Sequence, residues 1–195
     1  MVYPTPKQKD APIQIQKRRS TVDEYYRMAE IGILSEDDRV ELIEGEIIDM
    51  APMGDRHANC LRRLDTLLNR RLRETALVST QCPIHINDLT EPEPDIALLK
   101  MRDDFYAEHP RAQDVLVAIE VSYPSAEYDR GVKLPLYARA GITEAWLVDL
   151  IEETIEVYTQ PVNGEYRRTE RVKRGEPLAS LAVPGLELAV NDVLG

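Results

Sequence analysis

Two short, almost wholly apolar runs constrain the fold of this chain more than any other feature. They cover residues 94–99 and 115–122, each long enough for a strand buried on both faces and too short for a typical helix. Asp95 lies near the start of the first run and Glu120 near the end of the second. Antiparallel pairing of the two strands would set these carboxylates side by side at one edge of the sheet. Such a pair suits a hard divalent cation, which prefers oxygen ligands.

The length and composition indicate one globular domain. The chain has 195 residues, of which 43% are hydrophobic and 30% charged, enough for a sizeable core. We expect a flexible arm over residues 1–20, which are rich in Pro, Lys and Gln, and a single domain over 21–195. Cys60 and Cys82 have no metal-binding spacing, so reduced thiols are expected, with a disulfide as the alternative.

The charge and hydropathy limit the possible partners. With 24 basic and 35 acidic residues, the net charge of -11 opposes indiscriminate attraction to a polyanion. Nucleic-acid binding would therefore need a local basic surface, metal ions or a partner. Arg56, Arg63 and Arg70 lie on one helix face and form either a solvated face or a DNA track. We find no membrane-spanning run or signal-peptide pattern, and we expect a cytoplasmic protein with no membrane partner.

The first half of the chain is expected to alternate helices and strands. A capping box starting at Thr21 predicts a helix over 22–31, and residues 40–50 predict a hairpin turning at Glu44-Gly45. The period changes to that of a helix over 56–75. His57 falls on the apolar stripe of this helix, whose leucines are Leu61, Leu64, Leu68 and Leu72. A strand is expected over 77–86, and the connection over 100–114 is either a flap or contains a short helix.

The second half places a lysine near the end of the Glu120 strand. A helix is expected within 127–140, capped by Ser125, and Pro135 requires it either to begin near Lys133 or to kink there. Lys133 is then within reach of Glu120 along the chain. A strand over 145–148 and a hairpin joining 154–159 to 166–172 about Asn163-Gly164 follow.

The order of these segments resembles the PD-(D/E)XK nuclease superfamily, and in detail the Uma-two endonuclease-like family. The matching segments are VELIEGE at 40–46, MAP at 50–52 followed by His57, PD at 94–95, IEV at 119–121, DRGVK at 129–133, YARAG at 137–141 and WLVD at 146–149. The resemblance implies an α/β fold, a restriction-endonuclease-like mixed sheet flanked by helices, here with added hairpins.

The resemblance also implies roles for site residues. Asp95 and Glu120 would hold Mg²⁺ or Mn²⁺, and Lys133 would supply positive charge near the scissile phosphate as the third catalytic residue. We assign His57 as a contact to substrate or water. The sequence departs from the superfamily pattern at Ser122, where a lysine is expected two residues after the glutamate, so Lys133 would have to replace it.

Each of these residues also has a purely structural interpretation. Asp95 could fix a turn before its strand, and an arginine could neutralise Glu120. Lys133 could be solvated, His57 could be a satisfied histidine at a helix start, and we expect Glu41 to form a surface salt bridge rather than approach the metal.

The favoured hypothesis from the sequence is a Mg/Mn-dependent endonuclease acting on nucleic acid, expected to be DNA. One alternative is a catalytically inactive nuclease-fold binding or assembly module, which the acidic net charge favours. A second is a metal hydrolase of a smaller phosphate ester. A homodimer is compatible with all three, since two subunits could build a shared cleft.

Overall fold

The computed structural model describes residues 17–35 and 37–195, so most of the predicted arm, residues 1–16, lies outside the described residues. The helices are α1 (Val22–Glu30), α2 (Asp55–Leu72), α3 (Ala126–Tyr128), α4 (Leu134–Arg139) and α5 (Val190–Leu194), with a 3-10 helix at Ala112–Asp114 and a π-helical segment at Asp129–Lys133. The strands are β1 (Val40–Ile43), β2 (Glu46–Asp49), β3 (Leu77–Thr80), β4 (Ile96–Leu99), β5 (Val115–Ser122), β6 (Glu144–Asp149), β7 (Thr154–Val162), β8 (Glu165–Lys173), β9 (Pro177–Ala179) and β10 (Glu187–Ala189).

A six-stranded mixed sheet forms the centre of the fold. Its strand order is β3-β4-β5-β6-β7-β8, and every neighbouring pair is antiparallel except the parallel pair β5-β6. The helical residues 126–139 connect the two parallel strands, which need a crossover of this kind. The predicted mixed sheet is therefore confirmed. The strand expected over 77–86 is wrong beyond Thr80, since residues 81–83 leave the sheet and later residues form only isolated bridges.

The two faces of the sheet pack against different layers. Side chains alternate along the strands, so Ile96 and Ile119 join the core on one face while Ala97 and Ala118 join the core on the other. The first face is covered by α2 and the C-terminal tail. The α2 stripe predicted from the sequence is confirmed by four buried leucines: Leu61, Leu64, Leu68 and Leu72. The second face is covered by the helical residues between β5 and β6.

Local sequence signals account for α1 and the two hairpins. The Thr21 hydroxyl accepts a hydrogen bond from the Glu24 amide, and the Glu24 carboxylate accepts one from the Thr21 amide, which forms the predicted capping box. The β1-β2 hairpin turns at Glu44 and Gly45, whose φ angles of 50° and 79° suit a tight two-residue turn. The Ser20 amide donates to the Gly45 carbonyl, so the chain just before α1 contacts this turn.

The helical run after β5 is continuous but not uniform. The π-helical segment Asp129–Lys133 lies between α3 and α4, immediately before Pro135. Proline has no amide hydrogen for the carbonyl four residues earlier, and its ring crowds that carbonyl, so a wider turn relieves the conflict. The sequence anticipated a start or a kink at this point, and the chain instead widens the helix. Both Asp129 and Lys133 are buried by this arrangement.

The remaining segments agree with the sequence in outline. The connection between β4 and β5 contains the short 3-10 helix, and the β7-β8 hairpin turns at Asn163-Gly164 with φ angles of 54° and 82°. No helix in the described part of the chain is both long and apolar enough to cross a bilayer.

Candidate active site

The four residues predicted from the sequence surround one cavity of about 320 Å³. His57 comes from the first turn of α2, Asp95 precedes β4, Glu120 lies near the end of β5, and Lys133 ends the π-helical segment. The β1-β2 hairpin and the residues that follow it complete the walls. Elements distant in the sequence therefore meet at one end of the central strands.

Asp95 occupies the position that the sheet register predicts. Ile96 pairs with Ile119 in the antiparallel β4-β5 ladder, so the residues next to them, Asp95 and Glu120, lie at the same end of the two strands. Asp95 Oδ2 accepts hydrogen bonds from the Val121 amide at 2.8 Å and from His57 Nε2 at 3.0 Å. These contacts fix one carboxylate oxygen.

Glu120 is a buried carboxylate on a core strand, only 3% exposed. Its Oε1 accepts a hydrogen bond from the Tyr137 hydroxyl, and its two oxygens lie 3.3 and 3.4 Å from Lys133 Nζ. Burial raises the pKa of Glu120 well above its usual value, and the charges of Asp129 and Asp95 raise it further, while Lys133 lowers it. The environment of Glu120 therefore disfavours its ionised form, and Lys133 partly compensates.

Lys133 lies between two buried glutamates. Its ammonium is 3.2 Å from Glu41 Oε2 and donates to the Glu93 carbonyl at 3.0 Å, in addition to its contact with Glu120. Burial lowers the pKa of Lys133, but the surrounding carboxylates, Glu120 first, outweigh burial and raise it. The side chain therefore stays an ammonium group. The alternative of a solvated lysine is wrong, since Lys133 is 5% exposed.

Glu41 corrects one expectation from the sequence. The expected surface salt bridge is wrong, because Glu41 is 3% exposed and pairs with Lys133 inside the cavity. Its Oε2 also accepts a hydrogen bond from the Glu93 amide at 3.1 Å. The hairpin strand β1 therefore carries a carboxylate into the site rather than onto the surface.

Three further residues of the site were not predicted from the sequence. Glu93 and Asp129 line the cavity, and Tyr137 contacts Glu120. Burial raises the pKa of Glu93, which directly precedes the Pro94-Asp95 pair. Burial also raises the pKa of Asp129, although hydrogen bonds from the Ser122 and Ser125 hydroxyls and the charge of Lys133 oppose this. The spacing of 129, 133 and 137, one helical turn apart, was the available signal for the last two.

The cavity is lined by many more acidic than basic side chains. Two basic side chains, Arg39 and Lys133, face six carboxylates: Glu41, Asp49, Glu93, Asp95, Glu120 and Asp129. Neither Asp95 nor Glu120 forms an ion pair with an arginine among the described residues. The arginine-neutralised interpretation of Glu120 is therefore wrong for the described part of the chain.

The donor set suits a cation that needs few protein ligands. Within residues 17–35 and 37–195, no group of three or more His, Cys, Asp or Glu side chains has an arrangement that could hold a metal ion. Mg²⁺ is usually bound by one or two carboxylates, with water and phosphate oxygens completing its shell. Asp95 and Glu120 provide two carboxylates beside a cavity with space for the other ligands, so the residues fit such an ion.

The fold and the site define the class of protein. The mixed sheet flanked by helices is the restriction-endonuclease-like fold expected from the sequence, and its cavity brings together an aspartate, a glutamate and a lysine. The family model Uma2, described as "Putative restriction endonuclease", matches residues 22–191. The chain therefore belongs to this family, and its function is nuclease-like at that level.

A solved structure has the same fold. It is described as a "putative nuclease belonging to DUF820" from Anabaena variabilis, and it matches with a TM-score of 0.71 and 19% sequence identity. The alignment covers 89% of this chain and 97% of that chain. At this identity the likeness concerns the fold alone. No curated protein matches the sequence.

Proposed function

We propose that the protein is a Mg²⁺- or Mn²⁺-dependent endonuclease acting on DNA. Asp95 and Glu120 are the proposed metal ligands, and Lys133 is the proposed electrostatic partner of the scissile phosphate. The observation that carries this proposal is the convergence of two carboxylates from adjacent strands and a buried ammonium group on one cavity. A bound divalent cation would polarise the phosphate and lower the pKa of a water ligand.

Each side chain of the candidate site has a defined role in this proposal. The Lys133 ammonium would offset negative charge that develops on the phosphate, and its burial strengthens this electrostatic effect. The Tyr137 hydroxyl fixes one oxygen of Glu120. The hydrogen bond from His57 Nε2 fixes Asp95, and we propose that His57 also contacts substrate or water, as predicted from the sequence.

The proposal is tested by incubating purified protein with plasmid DNA, and separately with circular single-stranded DNA, in the presence of Mn²⁺ or Mg²⁺. We expect cleavage that a chelator abolishes and that falls by at least about 100-fold in Glu120→Gln and Lys133→Met. Matched controls are Glu127→Gln and Lys173→Met, which replace exposed residues outside the cavity. Cleavage that survives both site substitutions would contradict the assignment.

An inactive binding or assembly module is the second candidate. The net charge of -11 and the ion pairs that occupy Lys133 favour it. Calorimetric titration with Mn²⁺ separates the two, because a protein that binds no divalent cation cannot use the proposed chemistry. A small phosphodiester added as a competitor in the DNA assay tests the remaining alternative, a hydrolase of smaller phosphate esters.

A further inference from the structure

One part of the cavity wall is apolar and aromatic rather than acidic. Ile48, Pro52, Met53 and Tyr123 are among the residues that line the cavity. Tyr123 is 40% exposed and Met53 is 36% exposed, so both large side chains leave apolar surface open beside a cluster of carboxylates. A pocket with an apolar wall and a few convergent polar groups is typical of a small-ligand site.

The tyrosine in this wall is held by an arginine. The Arg56 guanidinium carbon lies 4.9 Å from the centre of the Tyr123 ring, and Arg56 Nη2 donates to the Leu150 carbonyl at 3.0 Å. The contact with Arg56 restricts the motion of the Tyr123 ring. Stacking of a planar group on this ring therefore costs the tyrosine little further side-chain entropy.

The tyrosine is also close to the carboxylates along the chain. Tyr123 follows Glu120 by three residues, and Arg56 precedes His57, which contacts Asp95. Tyr123 thus lies on the same chain segment as Glu120, and the arginine beside its ring lies on the same segment as His57. With a divalent cation held by the carboxylates, a ligand that reaches both the cation and the Tyr123 ring would be a planar group joined to an anionic group.

The volume decides how much of a nucleic acid can enter. At about 320 Å³, the cavity is at the small end of the range of about 300–1,000 Å³ for small-molecule pockets. That volume accommodates one nucleotide. A single strand offers unpaired bases that can stack on an aromatic side chain, whereas the bases of a duplex are already stacked on one another.

We propose that this cavity takes one unpaired nucleotide, with its base against Tyr123 and its phosphate toward Asp95 and Glu120. The preferred substrate class is therefore single-stranded DNA rather than duplex. This inference rests on the proposed nuclease function for the role of the carboxylates. The stacking wall itself is independent of catalysis.

The test measures binding and cleavage separately. Fluorescence anisotropy compares a labelled oligothymidine strand with a hairpin duplex of equal length, in buffer containing Ca²⁺. We expect tighter binding of the strand and a loss of about 5- to 150-fold in its affinity in Tyr123→Ala. Tyr123→Phe keeps the aromatic ring and retains most of the affinity. Phe105→Ala is the matched control, since Phe105 is 70% exposed and lies outside the cavity.

The outcomes distinguish this inference from the proposed function. Equal binding of strand and duplex, or a Tyr123→Ala variant that binds the strand as the wild type does, overturns the inference. Efficient duplex cleavage with Mn²⁺ in either case leaves the nuclease proposal standing. If neither DNA is cleaved but the strand binds through Tyr123, the nuclease proposal fails and the stacking site is supported.

Discussion

Replacing Lys133 by methionine tests how the charges in the cavity are balanced. Methionine keeps an unbranched side chain but removes the ammonium group that pairs with both Glu41 and Glu120, each of which is 3% exposed. Removing one partner of a buried ion pair leaves an uncompensated charge. We therefore expect the free energy of unfolding to fall by about 3–5 kcal/mol near neutral pH.

The loss has a predictable dependence on pH. Burial raises the pKa of Glu120 above its usual value, and Lys133 lowers it, so removing the lysine raises this pKa further. The folded variant then binds a proton at a higher pH than the folded wild type. Stability falls with rising pH wherever the folded state binds more protons than the unfolded state, so the deficit grows between about pH 5 and about pH 8.

Urea unfolding at both pH values measures this effect. The fluorescence of the single tryptophan, Trp146, reports unfolding because its side chain is fully buried. Lys173→Met is the control for an exposed lysine, and we expect it to change stability by less than about 0.5 kcal/mol. The charge-balance argument would be refuted if Lys133→Met lowered the free energy of unfolding by less than about 1 kcal/mol, or by the same amount at both pH values.

Three further predictions concern the cation, a second buried carboxylate and a helix cap. Mn²⁺ at about one hundred times its Kd raises Tm by about 5–11 °C in calorimetry. This shift grows with pH and is absent in Glu120→Gln, because binding needs the ionised carboxylate. Burial raises the pKa of Glu91, but hydrogen bonds from Tyr26 and two histidines outweigh it and lower the pKa. Glu91→Gln therefore lowers the free energy of unfolding, measured with urea at neutral pH, by about 1.5–3 kcal/mol. The difference in stability between variant and wild type narrows as pH falls below the usual carboxyl pKa. Thr21→Ala removes the capping box and costs about 0.5–2 kcal/mol in the same assay.

The sequence was most informative where local chemistry and long-range packing agree. The runs around Asp95 and Glu120 could form only buried strands, and their register followed from antiparallel pairing. The capping box at Thr21 and the Asn163-Gly164 turn were equally clear, since each depends on neighbouring residues alone.

The burial of polar residues outside those runs could not be predicted from local pattern. Glu41 lies in a short hairpin strand whose alternating pattern suggests one exposed face, yet Glu41 and its neighbours Leu42 and Ile43 are all buried, and Glu41 pairs with Lys133. The pattern of apolar and polar residues after Thr80 predicted that the strand would continue, yet the pairing of β3 with β4 ends at Thr80. Both outcomes depend on contacts between segments distant in the sequence.

The position of Ser122 explains how a lysine eleven residues further along can reach the site. The superfamily pattern expects lysine at this strand position, beside the glutamate. Here the buried Ser122 hydroxyl donates instead to Asp129 at 2.5 Å, at the start of the π-helical segment. That bond fastens the segment to the end of β5, and the wider turn before Pro135 brings Lys133 within 3.4 Å of Glu120. Ser122, which stands where the pattern expects a lysine, thus helps to anchor the segment that carries Lys133. The ammonium group therefore comes from a different position in the sequence and still lines the cavity.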